Sequence, residues 1–534
     1  MNVNPDYRSD ARAVPFDNME QPLGGRSLQI PLADKTVNTE VSGDFSLPDY
    51  QPEIKRLLKI GTAVHPPVRY AGSGEVDISG GMDYFVFYTG NDNRLYCAPL
   101  NTDYRLTVPL NDDAGMESVT PSICLCQSTV DSAVGRVTAP RRLNIRCRLR
   151  SRVQVFGERA VDVGETGLAT GSIETLQGER SVGLLWEADG DPIILQDDVI
   201  PDMRSGLVRV VCTEGQVMVT EASAGMGVLN CRGEVTMKLT LCPLEADEDG
   251  MTLPVVLTRK IPFSESIEMP DVTPDCQGCA YGVCSDISAE MEEGRIHLEA
   301  AVLLHAMAQK NQSVSYVKDL YSTRQLCDCR YTDLPVHRAV RCVGGNVTQS
   351  ESLPLNETGI DPTAQVLDVS GTAYPDEVTV YPDQDRCVMS GKCRYQLLLL
   401  RDGEYAGAEI ELPFRYEIEG VPDENAEFYG NVTVVTCRAR MDSERVGVDA
   451  ELSVSGRMYL PESVTLPTVV TPQAELSRRC GEYAICFPTS DDSLWSVAKR
   501  YHAPLSVLAA ANSIPSGAPI DSPESIAGNH YLIV

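Results

Sequence analysis

One pattern of glycine, proline and alternating apolar residues occurs three times along the chain, and it narrows the possible folds more than any other feature. Gly74 and Gly80 return as Gly227 and Gly233, both 153 positions later. Val108-Pro109-Leu110 matches Ile261-Pro262-Phe263 at the same spacing of 153, and so do Leu143, Ile145 and Cys147 with Ile296, Leu298 and Ala300. In a third copy Gly391 follows Gly233 by 158, and Pro413-Phe414 follows Pro262-Phe263 by 151. Val446, Val448 and Ala450 follow Ile296, Leu298 and Ala300 by 150. Copies that keep their order while drifting by a few residues place the insertions in loops on a constant frame.

Inside each copy the residues alternate with period two. Leu143, Ile145, Cys147 and Leu149 face one way and Asn144, Arg146 and Arg148 the other, the pattern of a half-buried antiparallel strand. Gly80 to Tyr88 and Arg295 to Val302 read as strands too, and Leu57–Ile60, Val208–Val211 and Val366–Val369 read as the strand that opens each copy. Helical periodicity is nearly absent before residue 490. The expected fold class is therefore mainly β, with three tandem β-sandwich-like modules at 36–165, 192–318 and 356–465. A lead-in occupies 1–35, and connectors at 166–191 and 319–355 carry strands of their own. A Pro- and Val-rich run reads as extended linker, placed at 466–481. Three or four domains also suit 534 residues at about 150 residues each.

The remaining segment, 482–534, has a different rhythm. Leu494, Val497, Ala498 and Tyr501 take the spacing of one buried helix face, after Ser490, Asp491 and Asp492, which offer an N-cap and first-turn acids. Pro504 opens a second short helix, Leu505 to Ala511, and Asn512 follows as a residue that tolerates a left-handed helix end. Strand-like Tyr483–Cys486 and Tyr531–Val534 flank the pair, so the order is βααβ.

Charge and composition exclude some functions. Acidic residues number 76 against 45 basic ones, a formal net charge of −31, and such a surface repels nucleic-acid phosphates. No run of 18 apolar residues occurs, so no membrane insertion by a helix is expected. The opening Met1-Asn2-Val3-Asn4-Pro5 has no apolar stretch of the secretory kind, which predicts a cytoplasmic protein whose 18 cysteines begin as thiols.

Candidate chemistry is sparse. The six histidines form no His-Glu-x-x-His pattern, and no nucleophile elbow, Walker loop or dinucleotide fingerprint is present. Neither an enzyme nor a cofactor is expected. Cys276, Cys279 and Cys284 have ligand-like spacing, but one Cys-x-x-Cys without a second pair is a weak zinc signal. Cysteines in alternating strands, such as Cys147, Cys231 and Cys393, read as small buried hydrophobes, with oxidative cross-linking as a further reading.

Two stretches resemble known modules. The Asp-Ser-Leu-Trp-Ser-Val-Ala run at 492–498, Tyr501, the Leu508 and Asn512 pair and the closing Leu532-Ile533-Val534 strand resemble a LysM domain. Pro48-Asp49-Tyr50-Gln51-Pro52-Glu53-Ile54 with Leu57-Leu58-Lys59-Ile60 resembles the opening of a SPOCS domain, and Arg141-Arg142-Leu143-Asn144-Ile145-Arg146 resembles its closing strand. Three such β modules followed by a LysM are similar to the SipL/SpoVID-type spore coat morphogenetic proteins. That resemblance implies a non-enzymatic scaffold in the mother-cell cytoplasm, at the forespore surface, partnered by spore coat proteins and a SpoIVA-type ATPase. It also implies a binding groove at Thr489, Ser490, Asp491, Asp492, Ser493 and Leu494 and at Asn512, Ser513, Ile514 and Pro515. The family's Gly-Asp-Thr/Ser-Leu is here Asp491-Asp492-Ser493-Leu494, and the lost glycine favours protein docking over a sugar. The alternatives are a LysM protein binding peptidoglycan through N-acetylglucosamine, and a LysM-targeted cell-wall hydrolase.

Overall fold

The computed structural model describes residues 27–72, 74–111, 119–161, 168, 171–201, 208–245, 252–421, 423–476, 484–515, 517 and 519–534. The chain is mainly β, and its strands fall into three two-sheet units of one topology.

The first unit contains β1 (Ser27–Ser46), β2 (Ile54–Val64), β3 (Val68–Ala71), β4 (Glu75–Gly90), β5 (Leu95–Pro109), β6 (Pro121–Ala139) and β7 (Arg142–Ala160). One sheet has the order β1-β7-β6; in the other, β4 lies between β5 and an edge made of β2 and β3. The second unit contains β8 (Ile173–Asp189), β9 (Ile193–Val199), β10 (Val208–Ala224), β11 (Val228–Pro243), β12 (Val255–Glu268), β13 (Gln277–Glu292) and β14 (Arg295–Ser322). There β8 and β9 share one edge of β14, β13 takes the other, and β10-β11-β12 form the second sheet. The third contains β15 (Gln325–Pro354), a single helical turn α1 (Leu355–Thr358), β16 (Gln365–Tyr381), β17 (Arg386–Arg401), β18 (Glu404–Glu419), β19 (Glu427–Met441) and β20 (Arg445–Glu475), paired as β15-β20-β19 and β16-β17-β18.

The internal repeat is visible in the packing. Val76, Ile78, Met82 and Tyr84 of β4 are buried at the same places as Leu229, Cys231, Val235 and Met237 of β11 and Cys387, Met389, Cys393 and Tyr395 of β17. An aromatic residue lies directly across from the shared glycine each time: Tyr104 from Gly80, Phe263 from Gly233, Phe414 from Gly391. A Cβ at Gly391 would sit 2.6 Å from the Phe414 ring and against the Tyr374 carbonyl, so only glycine leaves the aromatic its seat. A β-bulge follows Leu57, Val210 and Val366 at one equivalent point, and another follows Val130, Cys284 and Val434.

The module limits differ from those expected. The lead-in and connectors contain the first strand of each unit: Ser27–Lys35 begins β1, residues 173–189 are β8, and residues 325–354 are β15. These strands pair with the last strand of their unit, from Pro354 with Arg445, 91 residues on, to Gln325 with Glu475, 150 residues on, so no local hairpin signal marks them. Residues 466–475 of the expected linker continue β20, and 477–483 lie outside the described residues. Pro109 is not the counterpart of Pro262. Tyr104 takes the place of Phe263, because β11 and β12 are joined by a longer loop than β4 and β5.

The three units meet at repeat-equivalent positions, as around a pseudo-threefold axis. Leu125, Cys279 and Tyr429 occupy one equivalent site and share a core with Phe156, Met307 and Tyr459. Lys59, Cys212 and Asp368 occupy another, just past the shared bulge. Each junction has its own polar ties. Arg69 reaches Glu187 (2.7 Å) between the first and second units, and Asn311 exchanges two hydrogen bonds with the Ala339 backbone (2.8 and 2.9 Å) between the second and third. Arg152 bonds Glu427 (3.1 Å) and the Tyr459 hydroxyl (3.0 Å) between the third and first. Between the units lies a cavity of about 1190 Å³, lined by matching residues such as Gly61, Glu214 and Ser370, and Ser128, Gly282 and Val432.

The C-terminal module is a β-α-α-β unit: β21 (Ile485–Cys486), α2 (Leu494–Tyr501), α3 (Leu505–Ala511) and β22 (Leu532–Ile533), with β21 and β22 antiparallel.

Candidate functional site

The expected groove residues lie at the start of α2 and the end of α3, and most of their side chains hold the module together. Ser493, not Ser490, is the N-cap: its side chain accepts from the Ser496 amide (3.1 Å), while the Ser496 hydroxyl accepts from the Ser493 amide (2.9 Å), a capping box. The Asp492 carboxylate accepts from the Thr489 amide (2.9 Å) and hydroxyl (3.1 Å), and Arg500 pairs with it. The Thr489 amide and the Arg500 guanidinium hold that carboxyl down at about 2. Asn512 donates to Leu508 O (2.8 Å) and Ile533 O (2.9 Å) and accepts from Ile533 N (2.7 Å), tying α3 to β22. Its φ of −108° is not left-handed; Ser513, at 54°, makes the turn instead. Leu494 is buried, Ile514 half-buried, and Thr489, Ser490, Asp491, Ser513 and Pro515 are exposed.

The longer segment after Pro515 explains what fills the space above α2. A short 3-10 turn at Pro523–Ile526 folds back on the helix start. Trp495 N donates to Ile520 O (2.9 Å) and Leu494 N to Ser525 Oγ (3.0 Å), and Ile520 and Ile526 join the module core. A helix N-terminus offers amides without intrahelical partners. Here the amides of Leu494, Trp495 and Ser496 are all taken by the chain itself.

The other side of α2 is docked onto the second and third β units. Trp495 is buried, stacks edge-on to Tyr321 (5.0 Å between centroids) and donates its indole N–H to Asp319 (2.8 Å). Lys499 reaches the same carboxylate (2.6 and 2.8 Å), which also accepts from the Tyr331 hydroxyl. Burial works against ionisation of Asp319, but these hydrogen bonds outweigh it and hold the carboxyl below its ordinary value. Tyr321 donates to Ala503 O (2.7 Å), His502 meets Ser322 O (2.9 Å), and Lys318 pairs with Asp521 (3.2 Å). Leu176 and Tyr321 thus belong to the same hydrophobic core as Leu494, Val497 and Leu508. Tyr501, expected on the buried helix face, is 38% exposed, because His502 in the left-handed conformation ends α2 there.

The outward face of the small sheet is apolar. Ile485 and Ile533 are cross-strand neighbours, and Phe487 and Tyr531 extend the same alternation; Phe487 is 73% and Tyr531 53% exposed. Tyr531 lies in the expected strand Tyr531–Val534 and Phe487 just beyond the expected strand Tyr483–Cys486; alternation over four residues does not tell which face of such a strand stays open.

The cysteines at 276–284 do not converge. Cys276 and Cys284 point into the core of the second unit, and Cys279 points into the junction core on the axis. Among the described residues no group of three or more His, Cys, Asp or Glu is placed to hold a metal ion. No described helix is long and apolar enough to cross a membrane.

Compared with protein-family models, with curated proteins and with solved structures, the chain matches none.

Proposed function

We propose that the chain is a non-enzymatic scaffold of endospore coat assembly, similar to the SipL/SpoVID-type proteins, with three SPOCS-like β modules and a LysM-like end that docks protein. One observation carries the choice of protein over glycan: the amides at the start of α2 are occupied by Ile520, Ser525 and Ser493 of the chain itself. An acetamide seated there would have to displace three internal hydrogen bonds. The apolar face formed by Ile485, Phe487, Tyr531 and Ile533 supports protein docking as well, since exposed aromatic residues at a rigid site suit a protein anchor. The three interlocked β units supply a stiff support for that face.

The test uses the full chain. It is mixed in parallel with a SpoIVA-type ATPase and with purified peptidoglycan, and a tagged copy is followed in sporulating cells. Co-precipitation with the ATPase, no sedimentation with peptidoglycan and a signal around the forespore are expected. Sedimentation with peptidoglycan without ATPase capture would replace the scaffold by the glycan-binding reading. Clearing of a peptidoglycan suspension would make the protein a hydrolase.

A further inference from the structure

We propose that Cys279 and Cys342 form an oxidation site, at which a small-molecule disulfide such as oxidised glutathione converts the two thiols into a bond that staples the second β unit to the third. The two residues lie on different units, Cys279 on β13 and Cys342 on β15, and pack in one junction core. The β15 residue is held against the β13 backbone by two contacts. Cys342 N donates to Gln277 Oε1 (2.9 Å), and Cys342 Sγ to Gln277 O (3.3 Å), two residues before Cys279.

The two thiols are unlike in access. Cys279 is 2% exposed, whereas Cys342 is half-buried. Arg457 is the direct cross-strand partner of Cys342. A disulfide is attacked by a thiol in its thiolate form, and access decides which of two neighbouring thiols meets it. Only Cys342 can be reached by a reagent from solvent, so Cys342 is the group that attacks first and Cys279, buried beside it, the one that resolves.

The chemistry balances as two exchanges. The Cys342 thiolate attacks one sulfur of oxidised glutathione, breaking its S–S bond and releasing one glutathione. Cys279 then attacks the Cys342 sulfur, forming the Cys279–Cys342 bond and releasing the second glutathione. The two protein thiols lose two protons and two electrons, and both appear in the two reduced glutathione molecules.

A second pair, Cys97 of the first unit and Cys212 of the second, adjoins in another junction core, but both of its members are buried. It gives an internal comparison: the same inter-unit arrangement without an accessible attacking thiol.

The full chain is incubated folded with oxidised glutathione, blocked with an alkylating agent, digested without reduction and analysed by mass spectrometry. A Cys279–Cys342 cross-linked peptide should form before any Cys97–Cys212 one. The guanidinium midpoint of the oxidised chain should rise and return on reduction. C342S should abolish both effects. Recovery of Cys342 only as a stable glutathione adduct, with Cys279 still alkylated, overturns the proposal. So does a Cys97–Cys212 bond that forms first. Both readouts on the natural chain are independent of how well the variant folds.

Discussion

Lys59 and Asp368, 309 residues apart in the chain, form a salt bridge of 2.8 Å in which both side chains are almost wholly removed from water. Lys238 also reaches Asp368 (3.1 Å) and pairs with Glu214 (2.7 Å), so all three β units contribute to one buried cluster of two lysines and two carboxylates. Burial disfavours the charged form of Asp368, yet the two lysines outweigh it and bring the carboxyl to about 2. Removing one partner of a buried pair strands the others. Asp368→Ala should therefore destabilise the chain by about 3–5 kcal/mol, measured as a lower midpoint in guanidinium unfolding. An unchanged midpoint would mean that the cluster does not clasp the units.

The acid limb of stability should show two windows. Asp368 has a folded pKa below its unfolded value, so its contribution is present above the ordinary carboxylate range and is lost as pH falls towards about 2. His337 is buried, stacked on Tyr459 (4.2 Å) and beside Arg457; burial first, and then that guanidinium, bring its pKa to about 3. An imidazole held neutral leaves the unfolded chain binding more protons below its ordinary pKa of 6.5. Stability should thus fall as pH drops from about 6.5 towards 3. His337→Gln should flatten the upper window and leave the lower one, as read from urea midpoints across pH. A slope that persists unchanged from 6.5 to 4 in the variant would assign it to other groups.

Asp319 is the hub of the C-terminal dock, accepting from Trp495, Lys499 and Tyr331. Asp319→Ala should weaken docking by about 2 kcal/mol, the scale of lost hydrogen bonds between charged groups. The chain has two tryptophans, so Trp186→Phe isolates the Trp495 emission. In that background Asp319→Ala should shift the emission to the red and speed proteolysis after residue 476. Unchanged emission would place Trp495 inside the module without help from the dock.

The three shared glycines should not be equally sensitive. At Gly80 the three atoms nearest an added Cβ all belong to the Tyr104 side chain, at 2.7–2.8 Å. At Gly233 and Gly391 it meets a ring at 2.6 Å and a carbonyl oxygen of the neighbouring strand as well. A ring can tilt more readily than a strand can part. Gly233→Ala and Gly391→Ala should each cost about 1–3 kcal/mol, and Gly80→Ala less, in thermal or denaturant unfolding. Equal losses at all three would contradict the carbonyl argument.

Much of the strand content was legible because it is carried by local alternation. Leu143 to Leu149 mark a half-buried strand, and the spacing of Gly80, Gly233 and Gly391 marks the repeat; the aromatic seat across each glycine shows only in the strand pairing. The helices at 494–501 and 505–511 were legible for the same reason, from one apolar stripe each. What escaped is non-local. The first strand of each unit pairs with its last, and nothing near Thr175 or Val336 announces Leu320 or Glu462 as a partner. Lys59, Glu214, Lys238 and Asp368 look like surface charges one at a time, and only the meeting of three units removes them from water. At the candidate groove the sequence indicated a lost glycine, but not that Ile520 and Ser525 would fold back onto the helix start, since a loop's return path has no periodicity.

The equivalent positions of Lys59, Cys212 and Asp368 carry a consequence for how such a ring can exist. In a homotrimer of one sandwich, symmetry would place three lysines or three aspartates face to face, and like charges out of water repel. Fusing the copies into one polypeptide breaks that constraint: a cation, a thiol and an anion share the place that three identical groups could not. Because the copies are covalently joined, dilution cannot take the ring apart, and a single protein molecule carries the whole arrangement wherever it is recruited.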